Sequence, residues 1–143
     1  MAVEGAERRL REAGPVPGVH ARADLPEAPS SVRQARSLVR TVLREWHLHC
    51  CEDTATMLVS ELASNAVLHA QTPFAVEVTR TDRVVRVSVS DCSDIAPALR
   101  RPGPTAGAGR GLAMVAQLSC AWGTGDGVRP YAKTVWFEVP LSG

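Results

Sequence analysis

Lysine is nearly missing from this chain. Of its 16 basic residues only Lys133 is a lysine, and the rest are arginine. In an alanine-rich sequence that is a compositional bias, not a device for gripping phosphates. Net charge is equally scarce at +1, so bulk electrostatics give no case for a nucleic-acid or membrane-surface partner. No apolar run approaches the ~20 residues that a membrane span needs. The opening MAVEGAERRLREAG is charged and lacks the apolar centre of a secretory signal. The four cysteines, Cys50, Cys51, Cys92 and Cys120, contain no CxxC pair and suggest no disulfide framework. A cytoplasmic, reducing setting is the simplest expectation. The run HLHCC, His47 to Cys51, lacks the usual zinc spacings and reads as helix-junction and packing residues. The Walker pattern GxxxxGK[ST] is missing, and no internal repeat divides the chain.

What is present is enough for one ordinary domain: 143 residues, 45% of them hydrophobic and 22% charged. Residues 1–17 are charged and carry glycine and two prolines, and are expected to form a flexible tail ahead of a domain over 18–143. VHARADLP alternates weakly and predicts a short edge strand. PEAPSS then offers a proline and a serine cap. From Ser31 the apolar residues Val32, Ala35, Leu38, Val39, Val42, Leu43 and Trp46 recur at three and four, with Arg33, Arg36, Arg40 and Arg44 opposite, which predicts an amphipathic helix. A second helix is expected from about Glu52 to Ala70, stopped by Pro73. Two runs of period two follow, Phe74 to Thr79 and Val85 to Ser90, joined by the turn Thr-Asp-Arg. Residues 92–109 are rich in proline and glycine and predict a long loop. GLAMVAQLSC predicts a short helix, and two more strands close the chain, the last over Thr134 to Val139. This order argues a two-layer α+β sandwich with a mainly antiparallel sheet and helices on one face.

Three features carry possible chemistry. In SELASNAVLH, Glu61, Asn65 and His69 fall at i, i+4 and i+8, one stripe of a continuous α-helix. Asn65 offers a neutral oxygen for Mg²⁺ beside a polyphosphate, and Glu61 a base for a hydroxyl or water; the same stripe also suits a solvated helix face. His69 could instead cap the helix end. Asp91 ends an apolar strand, where it could accept from an exocyclic amine, with Ser93 assisting, or simply begin a turn. GAGRGL, Gly107 to Leu112, places backbone N–H groups and Arg110 at a helix start, as a phosphate cradle or a hinge. It follows no strand directly, so the dinucleotide-binding βαβ reading fails.

Taken together, in order, SELASNAVLHA, VSDCSD, GRGLAMV and KTVWFEV resemble the GHKL superfamily of ATP-binding domains, which includes gyrase, the heat-shock chaperone, histidine kinases and MutL. Within it the chain is most similar to the anti-sigma-factor serine/threonine kinase group and its actinobacterial relatives, over about residues 19–140. The resemblance implies a Bergerat-type α+β sandwich. It implies Glu61 as general base, Asn65 as Mg²⁺ ligand and Asp91 as acceptor for the adenine amine, with Ser93 beside it. Gly107, Gly109 and Gly111, with Arg110 and Leu112, would wrap the phosphates, and Thr134 would support the adenine. ATP and Mg²⁺ are the implied cofactors. The implied partners are an antagonist protein, phosphorylated on serine or threonine, and a sigma factor, with a homodimer as a further possibility. One departure bears on the adenine pocket, which Cys92 and Ile95 would narrow: the superfamily's DxGxG is here Asp91-Cys92-Ser93-Asp94-Ile95, with both glycines replaced. The resemblance therefore also fits an ATP-binding interaction module with little or no kinase activity.

Overall fold

A computed structural model describes residues 20–93 and 110–141. Five strands and three helices follow one another as β1 (His20–Leu25), α1 (Ser30–Glu45), α2 (His49–Asn65), β2 (Phe74–Arg80), β3 (Val84–Asp91), α3 (Arg110–Leu118), β4 (Ala121–Asp126) and β5 (Lys133–Pro140). The strands form a single sheet in the order β1-β2-β3-β5-β4, and every pairing is antiparallel. The helices cover one face. The expected two-layer α+β sandwich is what forms, with the weakly alternating β1 at one edge. The expected tail, the long loop, Gly107 and Gly109 lie outside the described residues.

Period-two patterning sets the core. Phe74, Val76 and Val78 of β2, Val85, Val87 and Val89 of β3, and Val135, Phe137 and Val139 of β5 all turn to the helices and are buried. Burial stabilises each by roughly 1.5–3 kcal/mol relative to exposure. From the other layer Ala35, Val39 and Leu43 of α1 meet Ala55, Leu58, Val59 and Leu62 of α2. The opposite face of the sheet is mixed. There the Arg86 guanidinium stacks 3.8 Å from the Trp136 ring, and a hollow of about 320 Å³ runs past Thr134, Ser90 and Ser88.

Two local features depart from the sequence reading, and the expected junction after α1 takes an unusual form. The serine expected to cap α1 does not: no side chain caps that helix, and the Ser31 hydroxyl donates back to the Pro26 carbonyl at 2.7 Å. The stop of α1 uses no glycine. His47 takes a left-handed φ of 58°, its N–H donates to the Arg44 carbonyl, and the Leu48 N–H donates to that of Leu43. This is the doubly bonded helix stop normally made by glycine, closed by the buried pair Leu43 and Leu48. HLHCC is thus a helix-to-helix joint. Finally, α2 does not run as an α-helix to Ala70. Residues Ala66–Ala70 form a π-helical turn, and the Gln71 N–H donates to the Ala66 carbonyl at 2.8 Å. Among the described residues no helix is long and apolar enough to cross a membrane.

Candidate functional site

Connectivity brings the sequence features to one end of the sandwich. β2 starts directly after the π-helical turn, and its first residue, Phe74, pairs with Asp91. The C-terminal part of α2, with Glu61 and Asn65, therefore lies at the same end as the exit of β3. β5 enters there too, since Lys133 pairs with Asp91. α3 finishes next to Ala121, which pairs with Glu138 at the far end, so its N-terminus points back toward Asp91. A strand-end carboxylate, the polar end of one helix and the start of another are thus gathered.

Asp91 is the best-defined member. It continues the parity of Val85, Val87 and Val89, so its side chain lies on the helix-covered face and is only 6% exposed. Its Oδ1 accepts from the Ser93 N–H at 2.9 Å and lies 3.7 Å from Lys133 Nζ. Burial pushes the Asp91 carboxyl above the usual carboxylate range, and the Ser93 N–H and Lys133 pull against it. The backbone around it is held from both sides. The Ala132 N–H donates to the Asp91 carbonyl at 2.8 Å, and the Cys92 N–H donates to Thr72 Oγ1 at 3.0 Å. Thr72 follows the π-helical turn, so the end of the α2 segment is fastened to the exit of β3.

Glu61 and Asn65 are half-buried on α2, and no described residue hydrogen-bonds either side chain. Glu61 edges a hollow of about 380 Å³ between α1 and α2, with Arg36, Arg40, Thr56 and Ser60 among its walls. His69 leaves the stripe. It sits in the π-helical turn, where the wider winding breaks the i, i+4, i+8 alignment, and it is exposed.

The structure does not bring Thr134 to Asp91. Thr134 pairs with Ser90, on the opposite face of the sheet, and the two hydroxyls are 2.7 Å apart. The β5 residue beside Asp91 is Lys133, which the motif reading passed over. Parity would have found it: a strand whose apolar members are Val135, Phe137 and Val139 places Lys133, not Thr134, on their face. Arg110 and Gly111 open α3, and the Leu112 side chain is buried in the core, 2% exposed, leaving only its backbone for a ligand.

An antiparallel sheet covered on one face by helices, with a buried acid at a strand end, is the arrangement that the sequence resemblance implies. The profile of the histidine kinase-like ATPase domain matches residues 25–125, and the chain belongs to that family. Among solved structures it is similar to the RsbU and RsbW domains of Rv1364c from Mycobacterium tuberculosis, at 22% identity and a TM-score of 0.62. That alignment covers 87% of this chain and 32% of the other, and the likeness is one of fold. No curated protein matches the sequence.

Proposed function

We propose that this domain binds ATP with Mg²⁺ at the Asp91 end of the sandwich and phosphorylates a serine or threonine of an antagonist protein, in the manner of an anti-sigma-factor kinase. The observation that carries the reading is the buried Asp91 carboxylate, held at a strand end on the helix-covered face. A buried acceptor needs a donor, and the exocyclic amine of adenine supplies one. The donor set fits Mg²⁺ as well: the Asn65 carboxamide adds an oxygen without adding charge. When bound, Mg²⁺–ATP supplies the phosphoryl group and neutralises its charge. The Glu61 carboxylate takes the proton of the incoming hydroxyl. Gly107, Gly109 and Gly111, with the backbone of Arg110 and Leu112, wrap the phosphates at the start of α3. Lys133, not Thr134, is the contribution of β5. An antagonist protein and a sigma factor remain the partners that fit this reading.

Calorimetric titration with ATP and Mg²⁺ tests it, followed by incubation of labelled ATP with candidate antagonists. Binding with transfer supports the proposal, and a folded protein that takes up no ATP refutes it. One observation favours a second reading, an ATP-dependent interaction module without turnover: Lys133 already sits 3.7 Å from the acid that would read adenine, and both DxGxG glycines are replaced. Binding without label transfer selects that module.

A further inference from the structure

Away from this site, α2 begins with two adjacent cysteines in contact. Cys50 Sγ and Cys51 Sγ lie 3.6 Å apart. Cys50 is exposed and Cys51 is buried. Each thiol fastens the head of α2 to the end of β5: Cys50 Sγ donates to the Leu141 carbonyl at 2.6 Å, and Cys51 Sγ to that of Pro140 at 3.2 Å. No other fastening of the helix start comes from a cap, because Leu48 precedes it and no side chain caps the first turn.

We propose that Cys50 and Cys51 form an oxidation site that closes to a disulfide between neighbours and unfastens α2 from β5. The oxidant class is a hydroperoxide. Cys50, the exposed partner, reacts first: its thiolate attacks the terminal oxygen, the O–O bond breaks, and a sulfenic acid and an alcohol or water result. Cys51 sulfur then attacks the Cys50 sulfur as its proton leaves. The S–O bond breaks and hydroxide departs as water. Two thiols lose two electrons and the O–O bond gains them. An exposed thiol touching its resolving partner is the arrangement this sequence of steps requires. Burial pushes the Cys51 thiol up to about 12, so Cys51 is not the first attacker, and ring closure is the slower of the two steps.

The ring closes only under strain. Neighbouring Cα atoms are held about 3.8 Å apart by the peptide itself, short of the roughly 4.4–6.8 Å that a relaxed disulfide spans, and opening the helix does not lengthen that distance. Closure also removes both S–H donors from the Pro140 and Leu141 carbonyls. Strain of this kind makes the bond readily reversed by small thiols.

The test uses the full reduced chain and hydrogen peroxide, with remaining thiols then alkylated. We expect the count of titratable thiols to fall from four to two. The tryptic peptide from Glu45 to Arg80, which holds Cys50 and Cys51 and no other cysteine, becomes lighter by two hydrogens. Dithiothreitol reverses this. Replacing both Cys92 and Cys120 by serine leaves it unchanged, and Cys50→Ser abolishes it. The oxidised protein melts lower by about 4 °C or more. A cross-link from Cys50 to Cys92, to Cys120 or to a second chain overturns the proposal. So does a peptide Glu45–Arg80 that keeps both thiols or ends as sulfinic acid. A closed ring with an unchanged melting temperature overturns the unfastening.

Discussion

Lys133 faces Asp91 across the pairing of β5 with β3, Nζ 3.7 Å from Oδ1, on the side of the sheet that the helices cover. One residue further along β5, Thr134 turns its hydroxyl to Ser90 on the other side. The step from one to the other is half of a strand's repeat, yet it separates a residue that touches the candidate site from one that does not.

Replacing Lys133 by methionine is therefore expected to weaken ATP binding about tenfold, roughly the 1.4 kcal/mol of one lost charged contact. Thr134→Val should leave the affinity within about twofold. Parallel calorimetric titrations decide between them, and the reverse order of effects returns Thr134 to the site.

Asp91 supplies a prediction with a sign. Its folded-state pKa lies above its ordinary value, with burial as the largest cause. Such a group favours folding when protonated, a contribution present at low pH and lost as pH rises through the raised pKa. Asp91→Asn should thus raise the melting temperature at neutral pH, and the gain should shrink toward zero as pH falls below about 4. The same variant should bind ATP about 5- to 150-fold more weakly, through loss of about 1–3 kcal/mol at a buried polar contact. Melting curves across pH in the absence of nucleotide keep the two effects apart.

For Glu61, the expected split is between chemistry and binding. Glu61→Gln should reduce phosphoryl transfer by about 10²-fold or more while ATP affinity changes by less than about threefold. Transfer is read by label incorporation and affinity by calorimetry. Equal losses in both would make Glu61 a binding group.

Glu52 joins α1 to α2. Its carboxylate accepts from Arg44 Nε at 3.0 Å and lies 3.3 Å from Arg40 Nε. The Arg44 hydrogen bond, with Arg40 and His49 assisting, holds its pKa below the usual range. A lowered pKa contributes stability above the ordinary carboxylate value, about 4.3, and loses it as pH falls through the folded value. Glu52→Gln should melt below the natural protein at neutral pH, and the two curves should converge in acid.

Much of this fold was legible because its strands alternate strictly. Val85, Val87 and Val89 announce β3 and its buried face, and Asp91 inherits that face by counting. The family motifs marked the same end of the molecule that the topology assembles. What escaped was geometry that residue type does not encode. A histidine in the left-handed conformation at His47 stops α1 where glycine would be the usual sign. A π-helical turn has the same residue preferences as an α-helix, so nothing in AVLHA warned that His69 would leave the stripe. The motif marks Thr134, while the register of β5 against β3 sets Lys133 opposite Asp91 and Thr134 opposite Ser90.

The widened turn at Ala66–Ala70 carries one residue more than ordinary winding would need. Deleting a single alanine there would let the helix rewind regularly without disturbing Glu61 or Asn65 upstream. Five residues of the wide turn sweep about the angle that four residues of an α-helix do, so Thr72 would come out nearly in phase and keep its hold on the amide of Cys92. The surplus residue is thus absorbed where it stands, between the helix that carries the acid and amide and the strand that pairs with the aspartate.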